Sequence, residues 1–177
     1  MSLKEVSQSL PTTADFHAAI AHSSDGWYRA CVQITGDPDL ASDAIQDALL
    51  KAWSRRKQFH GQSRLDTWIH RIAVNTALDL LRSARPERWE ALEHDPMDES
   101  RRPDHEHENR VLARQFETSL SELSDLERIC VVLKHVEQWP LKEIADQLGS
   151  SVGTVKQALF RGIKKLRTEL NDLRRTS

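Results

Sequence analysis

Glycine and proline are scarce, six of each in 177 residues. So little turn material argues against an all-β sandwich or a Rossmann sheet. Cysteine is scarcer still. Cys31 and Cys130 are too few and too isolated for a disulfide framework or a zinc knuckle. Both lie in apolar helical stretches and read as small buried hydrophobes, which points to the cytoplasm. No run approaches eighteen apolar residues, so no transmembrane helix and no membrane insertion is expected. Met1 to Thr13 lacks the charged-then-apolar pattern of a secretion signal. A Gly-rich phosphate loop, an H-E-x-x-H pair, a nucleophile elbow and a poised carboxylate pair are all missing, so nothing supports an enzyme. His105 and His107 stand two apart and do not share a helix face, which weakens a metal site there. No internal repeat and no low-complexity tract appears.

What is present is charge, in blocks. The net charge of −2 conceals them. Residues 51–85 hold 8 Lys/Arg against 2 Asp/Glu, net +6, and residues 150–177 hold 7 against 2, net +5. Residues 1–50 are net −5, with 2 Lys/Arg against 7 Asp/Glu. Residues 86–110 are also net −5, with 4 against 9. Two basic blocks around an acidic stretch suggest two polyanion contacts, or else two solvated helix faces.

Apolar periodicity is helical nearly throughout. Asp15 to His22 reads as a short amphipathic helix, broken at Ser23 to Gly26. Trp27 to Thr35 continues it, and Gly36 ends it. Asp37-Pro38-Asp39 caps a helix to Arg56 with an inward stripe of Leu40, Ala44, Ala48 and Ala52. After a loop at Phe59–Ser63, Asp66 caps a helix from Thr67 to about Ser83, with Ile69, Ile72, Ala73, Ala77, Leu80 and Leu81 inward. Pro86, Pro96, Pro103 and abundant charge mark a flexible acidic linker. A helix resumes near His105 with Val111, Leu112, Phe116 and Leu120. Ser124 to Glu127 is a capping-box pattern that opens the next helix.

The sharpest motif is Pro140 to Arg167. Leu141, Ile144, Ala145 and Leu148 fit a short helix that Gly149 ends. Ser150-Ser151 cap a second, with Val155, Leu159, Ile163 and Leu166 inward. The pair forms a helix-turn-helix in which Ala145 must be small where the helices cross. The outward face carries Lys156, Gln157, Phe160, Arg161 and Lys164, suited to phosphates and to base edges in a major groove. Thr154 marks an amino end whose N–H groups could face a phosphate. The basic block at 51–85 is less specific. Trp53, Phe59 and Trp68 flank a Gly-containing loop, and His70, Arg71, Asn75, Asp79 and Arg82 are outward on the next helix. Stacking on opened nucleic-acid bases and plain core packing are both compatible with the aromatics.

Three stretches together resemble the extracytoplasmic-function (ECF) sigma factors of bacterial RNA polymerase. Asp37 to Trp53 is similar to the segment that docks on the β′ clamp helices. Phe59-His60-Gly61 through Asp79 is similar to the segment that melts and reads the minus-ten promoter element. Leu141 to Arg167, with Val152-Gly153-Thr154-Val155-Lys156, resembles the domain that reads the minus-thirty-five element. The resemblance implies an all-α fold of two small helical domains, the second a winged-helix-like, four-helix helix-turn-helix domain. It implies a disordered tail at 1–13, a region 2 domain at 14–85, a linker at 86–107 and a region 4 domain at 108–177. It implies no cofactor, promoter DNA both duplex and single-stranded, core polymerase through the β′ clamp helices and β flap, and an anti-sigma partner tied to a stress or envelope signal. Polymerase contact then falls to Asp43, Gln46, Asp47 and Leu50. Minus-ten contact falls to Phe59, Gly61, Ser63, Arg64, His70, Arg71, Asn75 and Asp79. Minus-thirty-five contact falls to Thr154, Lys156, Gln157, Phe160, Arg161 and Lys164. Asp79 has two readings, a flipped-base reader or an ion pair with Arg82.

The sequence departs from the family pattern in two places. Gln157-Ala158 stand where Ser-Arg is usual, so one contact is expected to be missing at Ala158, and Pro140 stands where a Ser or Thr cap is common. Two readings remain beside the sigma factor: a stand-alone helix-turn-helix regulator, and a helical adaptor that binds only proteins.

Overall fold

The computed structural model describes residues 10–87, 89 and 118–176, with side chains through residue 168. Contacts divide the chain after Ser83 into two units. Among the described residues no strand occurs.

The first unit is three long helices: α1 (Thr13–Thr35), α2 (Pro38–Ser54) and α3 (Leu65–Ala84), with a 3₁₀ turn at Arg56–Gln58. α1 starts two residues earlier than the periodicity predicts. The Thr12 side chain accepts from the Asp15 N–H, and the Asp15 carboxylate accepts from the Thr12 N–H, so both orphan donors are satisfied. That ordered start shortens the tail expected at 1–13; residues 1–9 lie outside the described ones.

The break expected at Ser23–Gly26 is absent, and α1 runs through it. Gly26 costs about 1 kcal/mol in a helix, but the apolar stripe continues past it. Phe16, Ala19, Trp27, Ala30, Cys31 and Ile34 are all buried on one line. Ser23 points inward with them, its hydroxyl donating to Asp66 on α3 at 3.2 Å. Burying an indole offsets one glycine.

Asp37 caps α2 as predicted, accepting from the N–H groups of Asp39 and Leu40. The inward stripe is Ala41, Ala44, Ala48 and Ala52. Leu40 is only half-buried, so the stripe is shifted by one residue at its start. An all-alanine face contributes little area but lets α2 lie close on α1. α3 starts at Leu65, so Asp66 sits in its first turn and is not its cap. Its buried residues extend beyond the predicted stripe to Val74, Thr76 and Leu78, while Ile72 and Leu80 are only half-buried.

In the second unit, helical residues 118–121 precede α4 (Asp125–Val131), a π-helical turn (Val132–Val136), α5 (Leu141–Leu148) and α6 (Val152–Thr176). The capping box of Ser124 and Glu127 is present. The π turn ends at Val136, and two residues on Gln138 takes a left-handed φ of 59°. There the Trp139 N–H reaches the Leu133 carbonyl at 2.8 Å, and the indole is buried. The core gathers Ile129, Val132, Leu133, Ile144, Ala145, Leu148, Val155 and Leu166.

Pro86, Glu87 and the buried Trp89 are helical and fall inside the span expected as linker. The rest of that span lies outside the described residues, as do His105, His107, Val111, Leu112 and Phe116.

Candidate nucleic-acid interface

The helix-turn-helix is closed by backbone geometry. Gly149 ends α5 at φ 65°, a left-handed conformation that a side chain at this turn would strain. The Ser150 N–H returns to the Ala145 carbonyl at 3.0 Å, and the small Ala145 side chain is buried beside this turn. Ser151 then caps α6, its Oγ accepting from the Thr154 N–H at 3.0 Å and bonding the Thr154 hydroxyl at 2.9 Å. Thr154 is therefore buried and its N–H is occupied. It closes the turn, and the free donor expected there is not available.

Of the predicted outward face of α6, Lys156 and Lys164 are exposed, and Gln157, Phe160 and Arg161 are half-buried. Ala158 is fully buried, and so is Gly162, whereas the predicted core residue Ile163 is only half-buried. The family difference at position 158 thus lies on the inside of the unit. A Cβ at Gly162 would stand 3.0 Å from Val131 Cγ2 and 3.4 Å from Glu127 Cβ, so α6 presses its backbone against α4 at this point.

Glu127 sits at that contact with its residue only 3% exposed. Its carboxylate accepts from the Ser124 N–H at 3.1 Å, Lys165 Nζ at 2.7 Å and Arg161 Nε at 3.3 Å. Burial pushes this carboxyl up. The Lys165 hydrogen bond, the Ser124 N–H and the two positive charges outweigh that and hold it below its usual range. The sequence reading identified Glu127 only as a capping residue. Its hold on α6, 34 and 38 residues away, was signalled solely by Arg161 and Lys165 standing four apart beside Gly162.

In the first unit the loop between the 3₁₀ turn and α3 turns at Gly61, φ 62°. The rings of Phe59 and Trp68 meet at 5.5 Å across the ends of this loop, both half-buried. Ser63 is exposed, its hydroxyl donating to the Arg64 carbonyl. Arg64 grips Asp66 with two nitrogens, Nε at 3.1 Å and Nη2 at 2.9 Å. Chiefly through that grip, against some burial, the Asp66 carboxyl is held below its usual range. Asp66 thereby ties the loop to Ser23 of α1, a brace that sequence spacing does not reveal. Trp53, 39% exposed, meets Phe16 edge-on at 5.2 Å and carries the Arg56 guanidinium 4.2 Å over its ring.

His70, Arg71 and Asn75 are half-buried on α3, and the buried Asn75 Oδ1 accepts no hydrogen bond from the described residues. Asp79 is exposed and lies 3.5 Å from Arg82. The ion-pair geometry exists, but a pair this exposed leaves the carboxylate open to another donor. Asp43, Gln46 and Asp47 are exposed on α2, and Leu50 is 70% exposed, with no apolar cover for so large a side chain.

Residues 21–87 match the family Sigma-70 region 2, and residues 113–166 match Sigma-70, region 4. The chain is 31% identical to the RNA polymerase sigma-E factor of Streptomyces coelicolor, over 88% of this chain and 86% of that one. It is 34% identical to the ECF RNA polymerase sigma factor SigG of Mycobacterium tuberculosis over 78% of its length, yet spans only 44% of that relative. Among solved structures, the sigma factor RpoE in complex with the anti-sigma factor NepR from Bartonella quintana matches 90% of this chain and 98% of that one. Its TM-score is 0.56 at 21% identity, a likeness of fold. No helix among the described residues is long and apolar enough to cross a membrane.

Proposed function

The chain belongs to the ECF sigma factors, and from that membership we propose that it directs core RNA polymerase to a defined set of promoters. One observation carries the reading. A minus-ten-type unit and a helix-turn-helix unit follow one another in family order, on separately packed bodies.

In this role α2 docks on polymerase. Asp43 and Asp47 meet basic groups, and Leu50 supplies apolar contact from a position the fold leaves uncovered. The loop Phe59–Arg64 and the α3 residues His70, Arg71, Asn75 and Asp79 hold the opened minus-ten strand. Bases there stack and expose edges that a duplex hides. The α6 residues Lys156, Gln157, Phe160, Arg161 and Lys164 enter the minus-thirty-five major groove.

Promoter elements lie roughly 58 Å apart if separated by about seventeen base pairs at about 3.4 Å each. A linker of about 25 residues reaches up to roughly 80 Å extended. Its relaxed span is only about 25–30 Å. Polymerase is the scaffold that sets the spacing. An anti-sigma protein silences such a factor by covering the α2 face, and the chain acts in the cytoplasm, where core polymerase and chromosomal DNA lie.

The test is core binding. The wild-type chain should co-migrate with core polymerase, and reversing Asp43 and Asp47 to Lys should cost most of that affinity while circular dichroism is unchanged. Equal affinity of the folded variant would remove α2 from the interface. Tight duplex binding without polymerase would favour a stand-alone regulator.

A further inference from the structure

We propose that Glu127 is a positioning residue for base readout: by holding the Nε edge of Arg161 it fixes the guanidinium that α6 brings to the DNA, without meeting the DNA itself. The inference rests on the reading of α6 as the recognition helix.

The capping box alone does not explain this residue. A glutamine at the same position would accept the Ser124 N–H equally well and need no charge. A carboxylate buried to this degree is costly unless it is paired. Here the pairing comes from Arg161 and Lys165, one turn apart on α6. Gly162, between them, brings the helix close enough for the carboxylate to reach both.

The two cations are held differently. Lys165 makes the shorter contact, 2.7 Å, and its side chain is 50% exposed. It anchors the helix as a compact charge. Arg161 is held at 3.3 Å through Nε, at the inner end of a planar, fork-shaped group. A hydrogen bond at Nε fixes the plane of that fork. Bidentate recognition of a base edge depends on that plane as much as on charge. Without Glu127, Arg161 keeps its charge but loses the hydrogen bond that sets the plane of its fork, so affinity for any DNA should survive better than preference among bases.

The experiment selects from a duplex pool randomised over ten consecutive base pairs, using the full-length chain, and compares base preferences position by position. Arg161→Ala should flatten preference at one position. Glu127→Gln should flatten the same position about tenfold or less, with little change elsewhere. Combined with Arg161→Ala it should flatten that position no further. Lys165→Met, which removes the other anchor, should lower affinity evenly and leave the preference in place. A uniform loss in Glu127→Gln, or an effect that persists without Arg161, overturns the positioning role.

A readout without DNA separates this failure from failure of the proposed function. In the free protein the Arg161 Nε–H should exchange slowly by NMR, and Glu127→Gln should abolish that protection. Fast exchange in the wild type refutes the proposal whatever the chain binds. A protected Nε–H with no sequence preference in any form of the chain refutes the recognition-helix reading, and the readout role with it.

Discussion

Glycine to alanine should have opposite signs at two helical positions. At Gly26, in α1, an added Cβ meets nothing within 4 Å. The substitution should stabilise by about 0.5–1 kcal/mol, the helix-propensity difference. Gly162, in α6, gains the same propensity but meets Val131 Cγ2 at 3.0 Å. Carbon atoms prefer about 3.5–4.0 Å, so the overlap is at least half an ångström. Val131 cannot swing away, because it is buried and β-branched, and a helix leaves such a residue essentially one rotamer. Strain of about 1–3 kcal/mol then exceeds the propensity gain, leaving Gly162→Ala net destabilising by about 1 kcal/mol. Native-state hydrogen exchange on the full chain, read by peptide, reports each unit separately. Protection in α1 should rise for Gly26→Ala, and protection in α4 and α6 should fall for Gly162→Ala. Stabilisation by both would refute the close approach of α6 to α4. Destabilisation by Gly26→Ala would refute the unbroken α1.

Asp79→Ala should shift which minus-ten base is preferred in single-strand binding. A stability loss of a few tenths of a kcal/mol with unchanged base preference would leave Asp79 as the partner of Arg82 only. Acid should loosen the second unit through Glu127. Its folded carboxyl lies below the ordinary 4.5, so its contribution is complete above that pH and is lost as pH falls through the lower folded value. Hydrogen-exchange protection of α6 should drop on acidification below pH 4.5, and Glu127→Gln should flatten the drop; an equal drop in the variant contradicts the assignment. Burial pushes the Cys130 thiol up to about 12, and Cys31 is equally enclosed, so neither should react with a maleimide at pH 8 until urea is added. Rapid native labelling of either would contradict that packing.

Local signals were legible in the sequence, and contacts over long chain separation were not. Asp37-Pro38, Ser124 with Glu127, and Gly149 with Ser151 each act within four residues, and each stands where the pattern put it. Gly26 misled because propensity is local and the burial of Trp27 overrides it. Leu40 and Ile163 were placed in the core on hydrophobicity. At close helix crossings size decides instead, and Ala41, Ala158 and Gly162 occupy the inside. The basic face of α6 was readable as charge, but one of its features was not. The retention of Arg161 by Glu127 depends on how side chains 34 residues apart meet once the turn has formed.

The most direct test of the whole account is transcription with purified core polymerase on genomic DNA from the source organism, with and without this chain, mapping every RNA start. The account predicts discrete starts that appear only when the chain is present, share two upstream sequence elements at a fixed spacing, and vanish when Asp43 and Asp47 are changed to Lys. An identical set of transcripts with and without the chain would contradict it.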